Sequence, residues 1–114
     1  MKYTIYHNPR CSKSREALCL LEEEGVEIEV IKYLDETPNE EELGKLLAKL
    51  NLKPLEIIRK GEKIFKEKFK NADFNDHEWI KIMVENPQLI ERPIVVKGNK
   101  AIVGRPPVLV RDLF

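Results

Sequence analysis

The segment from Lys2 to Tyr33 constrains the fold more than any other part of the chain, because its residue pattern changes from strand to helix and back. Lys2–Tyr6 and Val26–Tyr33 are rich in β-branched and aromatic residues, as strands are. From about Ser12 to Glu24, small and apolar side chains recur at helical spacing, and Gly25 is a typical helix stop. The expected buried face consists of Ser14, Ala17, Leu18 and Leu21. The segment is therefore predicted to be a β-α-β unit.

Such a unit indicates where a ligand would bind. Neighbouring parallel strands joined by a helix almost always form a right-handed crossover, and ligands of open α/β sheets gather beyond the carboxyl ends of the strands. The loop His7–Cys11 leaves the first strand at such an end. We therefore expect the functional site at this loop.

A helical insert, about residues 37–87, is predicted to follow. Thr37-Pro38-Asn39-Glu40 has the composition of a capping box with proline at the first helical position. The apolar positions behind it, Leu43, Leu46, Leu47 and Leu50, keep helical spacing.

Shorter helical pieces complete the insert. Pro54 is expected to begin one that carries Leu55, Ile58 and Arg59. Phe65 and Phe69 suggest a further turn or two. Asn75 and Glu78 repeat the capping pattern before a helix that Pro87 should end.

Strands return near the end of the sequence. Ile94–Lys97 and Lys100–Val103 flank Gly98-Asn99, a two-residue turn that favours an antiparallel hairpin. Pro106 and Pro107 suit the start of a last helix. Its Val108, Leu109 and Leu113 are expected to cover the sheet. The predicted fold is α/β and thioredoxin-like (glutaredoxin-like), with the helical insert between its β-α-β and β-β-α halves.

Length and charge limit the classes of function. With 114 residues the chain suffices for one domain, expected to span residues 1–114. The 20 basic and 20 acidic residues cancel, so no net field favours nucleic acid or a membrane surface. Met1–Tyr6 lacks the pattern of a signal peptide, and no apolar run approaches a membrane span. We expect a cytoplasmic protein that binds neither nucleic acid nor membranes.

Cys11 is the strongest candidate for a reactive group. A cysteine attacks as the thiolate, which the open N–H groups and dipole of a helix start favour, as do nearby positive charges. Arg10, Lys13 and Arg15 supply such charges. The same N–H groups can hold an oxyanion, so an anionic substrate fits this place. The alternative, a buried and inert cysteine, suits the polar surroundings poorly.

Other uses of the cysteines are disfavoured. Cys19, eight residues along the helix from Cys11, would lie about 12 Å away, beyond the ~7 Å that a disulfide spans. Ser14 stands where a Cys-x-x-Cys pair would have its second thiol, so reduction is left to an outside thiol. Ala17 stands where a phosphatase loop would have arginine, and no paired Cys/His spacing predicts a metal site.

Several ordered segments resemble one family. His7-Asn8-Pro9-Arg10-Cys11-Ser12-Lys13-Ser14-Arg15 fits the pattern His-x3-Cys-x3-Arg and is similar to the active-site segment of the ArsC/Spx family, in particular the glutaredoxin-linked arsenate reductases. The further matching blocks are Tyr33-Leu34, Thr37-Pro38, Ile58-Arg59-Lys60, Glu91–Val96 and Gly104–Pro107. The resemblance covers essentially the whole chain.

The resemblance implies roles for individual residues. Cys11 would be the catalytic nucleophile, and Arg59, Arg92 and Arg105 would bind the oxyanion. Guanidinium groups suit that task because they stay protonated and form paired, charge-assisted hydrogen bonds. The supporting residues would be His7, Ser14, Arg15 and Pro93, the last following Arg92 through a cis peptide bond that faces the nucleophile.

The resemblance also implies the reaction. Cys11 would attack arsenate or a similar oxyanion, glutathione would add to the arsenic as co-substrate, and glutaredoxin would remove the glutathione, with no bound cofactor or metal. A general glutathione-dependent thiol oxidoreductase would use the same residues. A regulator that binds RNA polymerase, as Spx does, is a third possibility, although such regulators typically carry Cys-x-x-Cys and this chain has Ser14.

Overall fold

The computed structural model describes residues 2–114, which form two compact units. The first comprises the chain up to Glu36 together with Arg92–Phe114, and the second is Thr37–Glu91. The second unit corresponds to the predicted helical insert, although it ends at Glu91 rather than near residue 87. Among residues 2–114, no helix combines the length and apolar character that a membrane span requires.

A four-stranded sheet organises the first unit. Its strands are β1 (Lys2–Tyr6), β2 (Glu27–Ile31), β3 (Ile94–Lys97) and β4 (Lys100–Val103), in the spatial order β2-β1-β3-β4. β1 pairs with β2 in parallel and with β3 antiparallel, and β3 forms a hairpin with β4. Helix α1 (Ser12–Glu24) connects β1 to β2. This is the thioredoxin-like arrangement predicted from the sequence.

The second strand is shorter than the predicted Val26–Tyr33. Its last pair joins Ile31 to Tyr6, and the His7 N–H donates to the Ile31 carbonyl at 2.8 Å. Beyond His7 the first strand has ended and the chain turns into the loop before α1, so the pairing of β1 with β2 stops at Ile31 and does not include Tyr33. Its side chain is instead buried.

Helix α1 has the predicted limits. Gly25 ends it in the left-handed conformation (φ 74°), which glycine adopts without steric cost. Ser14, Ala17 and Leu21 are buried on one face, as expected, whereas Leu18 is only partly buried. The core of this unit consists of Tyr3, Ile5, Ala17, Leu21, Val95, Val110 and Leu113.

The last helix, Pro107–Leu113, differs from expectation in the face that it buries. It is a 3-10 helix in which Pro107, Val110 and Leu113 are buried, whereas Val108 is 49% exposed. A 3-10 helix has three residues per turn, so every third side chain shares a face. The expectation that Val108 covers the sheet was wrong because it assumed the longer α-helical period.

Two α-helices, two short 3-10 turns and one π-helical turn build the second unit. The helices are α2 (Glu40–Leu50) and α3 (Asp76–Glu85), and the turns are Pro54–Ile57, Phe65–Phe69 and Pro87–Leu89. The first turn ends before Ile58 and Arg59, which were expected within it, and Ile58 instead bridges Ile90.

The capping box of α2 lies two residues beyond the predicted one. The Asn39 side chain accepts from the Glu42 N–H at 2.8 Å, and the Glu42 carboxylate accepts from the Asn39 N–H at 3.1 Å. Thr37 and Glu40 therefore do not form the box. The equivalent box of α3, Asn75 with Glu78, is the predicted one. The four leucines expected on α2 are all buried.

Candidate active site

Cys11 is the N-cap residue of α1. Its backbone is extended (φ −94°, ψ 122°), its N–H donates to the Asn8 carbonyl at 3.0 Å, and its carbonyl accepts the first helical bond from Arg15. The side chain is partly exposed. The sulfur thus lies at the positive end of the helix dipole, within reach of solvent, as the sequence predicted.

The surroundings of Cys11 favour the thiolate. Burial raises the pKa of the thiol, but hydrogen bonds from the Ser14 N–H, the Arg92 guanidinium and the Lys13 N–H, with the charge of Arg92, outweigh it. The pKa of Cys11 is therefore lower than that of an ordinary cysteine. A larger fraction of the sulfur is then nucleophilic at neutral pH.

Two arginines that are distant in sequence contact this site. Arg105 Nη2 lies 3.6 Å from Cys11 Sγ, and Arg105 Nε donates to the Arg92 carbonyl at 2.7 Å. The bond between the two residues fixes the Arg105 guanidinium beside the sulfur. Two always-protonated groups and the open N–H groups of α1 thus surround one nucleophile, which is a setting that stabilises negative charge.

The side chains next to Cys11 in sequence contribute less to the thiol pKa than expected. Arg15 Nη1 donates to the Pro9 carbonyl at 2.9 Å, so this guanidinium binds the backbone of the loop before α1. Lys13 acts on the thiol through its backbone N–H. The charge of Arg92, which is distant in sequence, lowers the pKa of Cys11. Proximity along the chain had instead led us to expect this effect from Arg10, Lys13 and Arg15.

Three buried polar residues hold the loop before Cys11. Ser14 Oγ accepts from the Asn8 N–H at 3.0 Å and lies 2.7 Å from His7 Nδ1. His7, Asn8 and Ser14 are all at most 8% exposed. Burial, followed by the charges of Lys32 and Arg15, lowers the pKa of His7 and favours its neutral form. This position suits support of the loop.

Pro93 and Gly104 fix the backbone that carries the two arginines. The Arg92–Pro93 peptide bond is cis, as the resemblance implied, and Arg105–Pro106 is cis as well. The Gly104 N–H donates to the Pro93 carbonyl at 2.8 Å. A Cβ on Gly104 would lie 3.0 Å from Pro93 Cγ, so the close approach requires glycine.

Arg59 belongs to the second unit. It pairs there with Glu62 (3.3 Å) and with Glu91 (3.6 Å), and its N–H donates to the Leu89 carbonyl at 2.8 Å. The structure thus brings Arg92 and Arg105 to Cys11, and it places Arg59 among two carboxylates. A role for Arg59 in binding the oxyanion stays a prediction.

Two grooves in the described part of the chain could hold small molecules. One, of about 560 Å³, lies in the second unit and is lined by aromatic and lysine side chains without a thiol. The other, of about 680 Å³, lies in the first unit and begins at Ser12, directly after Cys11. Among residues 2–114, no three His, Cys, Asp or Glu side chains cluster in a way that could hold a metal ion.

The sequence did not single out Asn8 and Gly104. Asn8 also receives the Arg10 N–H on its side-chain oxygen at 3.0 Å, a local turn that asparagine before proline could have indicated. Gly104 lies within a matched block, Gly104–Pro107, but its contact with Pro93 depends on the pairing of β3 with β4.

The model of the ArsC family matches residues 6–113. The protein YfgD of Escherichia coli K12, described as uncharacterized, is 46% identical over 96% of this chain and 93% of its own length. An arsenate reductase of Neisseria meningitidis is 44% identical over 90% of this chain and 89% of its own. The solved structure of an arsenate reductase from Vibrio cholerae is similar with a TM-score of 0.95, at 44% identity, over 100% of this chain and 98% of the other.

Proposed function

The chain belongs to the ArsC family, and from this premise we propose that it reduces arsenate to arsenite through the thiolate of Cys11. The observation that carries the proposal is the convergence of Arg92 and Arg105 on the Cys11 sulfur at the start of α1. Relatives from Neisseria meningitidis and Haemophilus influenzae, 44% and 39% identical, are named arsenate reductases.

Arsenate fits the chemistry of this site. It is a tetrahedral oxyanion, and guanidinium groups meet such oxygens with paired, charge-assisted hydrogen bonds. The same groups favour the thiolate, so nucleophile and electrophile are attracted to one place. Holding the two in line removes much of the entropic cost of their encounter.

The reaction begins with attack of the Cys11 sulfur on arsenic. A sulfur–arsenic bond forms, and an arsenate oxygen leaves as water after taking up a proton. The N–H groups of Lys13 and Ser14, which favour the thiolate in the free protein, then face the oxygens of the adduct, where they stabilise negative charge.

External thiols supply the two electrons. Because Ser14 occupies the position of a second thiol and its hydroxyl binds the loop, we propose that glutathione and glutaredoxin complete the turnover in the cytoplasm. Glutathione forms a second sulfur–arsenic bond with loss of water. A glutaredoxin thiolate then attacks the glutathione sulfur, the electron pair of the broken bond stays on arsenic, and a mixed disulfide leaves. Water displaces Cys11 from the reduced arsenic and releases arsenite.

The test is release of arsenite by the intact protein with glutathione and glutaredoxin, each omitted in turn. We expect turnover only when both are present. A parallel assay with a small mixed disulfide instead of arsenate separates this function from that of a general thiol oxidoreductase. Reduction of the disulfide without reduction of arsenate would refute the substrate and leave the thiol chemistry intact.

A further inference from the structure

The groove that begins at Ser12 lies in the first unit, along α1 and the Pro107–Leu113 helix. We call it the α1 groove. Its α1 side includes Lys13, Glu16 and Cys19, and its other side includes Val108 and Arg111. Its volume of about 680 Å³ is within the range of about 300–1,000 Å³ that is usual for small-molecule sites.

On each side of the α1 groove, one lining residue is the sequence neighbour of a residue of the candidate active site. Ser12 follows Cys11 directly, and Pro106, which also lines the groove, follows Arg105, whose Nη2 lies 3.6 Å from the Cys11 sulfur. The Ser12 end of the groove is therefore the end next to the residue that carries the adduct.

The charges along the groove are asymmetric. Lys13, Arg15 and Arg111 are positive, Glu16 is negative, and all four side chains are exposed. The whole chain has equal numbers of acidic and basic residues, so this local excess of positive charge is a property of the groove. Leu20 and the half-exposed Val108 supply apolar surface. The complementary ligand has two carboxylates, one ammonium group and an aliphatic body.

The length of the groove matches a tripeptide. The α1 residues that line it run from Ser12 to Leu20, which at the usual helical rise is about 12 Å. Three extended residues span about 10 Å.

We propose that the α1 groove binds glutathione, with its carboxylates toward Lys13, Arg15 and Arg111 and its ammonium toward Glu16. This inference rests on the proposed function, because it names where the co-substrate of that reaction lies. Glutaredoxin is the competing occupant. The charges and the small volume of the groove favour a free tripeptide over the surface of a protein.

Cys19 provides a test that does not depend on arsenate. It is an exposed thiol within the groove. The sequence has two cysteines, so Cys19 is the one that remains in the Cys11→Ser protein. S-methylglutathione, which cannot form a disulfide, should slow alkylation of Cys19 by N-ethylmaleimide. At ten times its Kd the rate should fall about tenfold, as simple occupancy requires.

One altered ligand and two protein variants test whether the charges of the groove cause the protection of Cys19. The diester of S-methylglutathione, which lacks both negative charges, should protect Cys19 much less. Arg111→Glu should weaken protection by about tenfold in Kd, whereas Lys100→Glu, which reverses an exposed charge on β4 outside the groove, should not. Absence of protection by S-methylglutathione, equal protection by the diester, or protection only by glutaredoxin would overturn the proposal.

Steady-state kinetics separate this inference from the proposed function. In arsenate turnover, Arg111→Glu should raise the KM for glutathione and leave the KM for arsenate unchanged. If the intact protein turns over arsenate but Arg111→Glu leaves the glutathione KM unchanged, the groove assignment is wrong and the function stands. If S-methylglutathione protects Cys19 but arsenate is not reduced, the function is wrong and the groove stands.

Discussion

The contact between Arg105 and Cys11 makes a quantitative prediction for the thiol pKa. A charge pair at the observed 3.6 Å is worth about 1 kcal/mol in a water-like dielectric and several times more in a dry interior. Arg105 is exposed and Cys11 only partly buried, so the water-like limit applies and solvent screens the pair. Replacing Arg105 by glutamine should therefore raise the pKa of Cys11 and slow its alkylation below that pKa by up to about fivefold.

The assay is the rate of iodoacetamide alkylation of Cys11 across pH, in a Cys19→Ser background so that one thiol reacts. Arg92→Gln should raise the pKa more than Arg105→Gln, because Arg92 contributes both a hydrogen bond and its charge. Arg15→Gln is the matched control, since its guanidinium binds the Pro9 carbonyl.

The alkylation midpoints of the three arginine variants distinguish the distant charges from the near ones. If Arg15→Gln shifts the midpoint of alkylation as much as Arg105→Gln and Arg92→Gln do, the charges close in sequence control the thiol. An unperturbed midpoint in the parent protein, equal to that of a free cysteine, would contradict the thiolate argument as a whole.

Three further predictions concern the scaffold of the site. Gly104→Ala should destabilise the protein by about 1–3 kcal/mol in urea unfolding, because its Cβ would lie 3.0 Å from Pro93 Cγ, whereas Gly44→Ala, with nothing within 4 Å, should be neutral or stabilising. Ser14→Ala should cost about 1–3 kcal/mol by removing a buried hydroxyl with two partners; an unchanged urea midpoint would exclude this role. The folded-state pKa of His7 is lowered, so the unfolded chain binds the proton more readily and stability should fall as pH drops below about 6.5. His7→Gln should flatten that dependence, and an equal slope in both proteins would contradict it.

Local features of the fold were predictable because local sequence determines them. Gly25 sets the end of α1 through its own backbone, and Asn75 with Glu78 forms a cap within four residues. The start of α2 shows the limit of such reasoning. Thr37 with Glu40 and Asn39 with Glu42 both fit the capping pattern, and only the structure decides between the overlapping choices.

The face of the last helix was not predictable from its apolar residues. The expected set was Val108, Leu109 and Leu113. Leu109 and Leu113 are four residues apart, which suits an α-helix, whereas Val110 and Leu113 are three apart, which suits a 3-10 helix. The 3-10 geometry follows from packing, since Val110 and Leu113 belong to the core of the sheet. This difference matters for the site, because it leaves Val108 exposed on the α1 groove.

The electrostatics of Cys11 depend on contacts across most of the chain. The sequence predicted Arg10, Lys13 and Arg15 near the thiol because these residues lie close to Cys11 along the chain. Arg92 and Arg105 reach it only through the pairing of β1 with β3 and of β3 with β4. Resemblance to a family, not the physics of short segments, indicated them in advance.

In the proposed reaction, the Cys11 sulfur is the atom that attacks arsenate. Initial rates of arsenite release, with glutathione and glutaredoxin in excess, test it most directly in the parent protein, Cys11→Ser and Cys19→Ser. We expect the rate of Cys11→Ser to fall at least about a thousandfold, because a covalent nucleophile is removed. The rate of Cys19→Ser should stay within about twofold of the parent rate, because Cys19 is an exposed groove residue and its replacement leaves the nucleophile in place. Arsenite release by Cys11→Ser at the parent rate, or none by the parent protein, would contradict the claim.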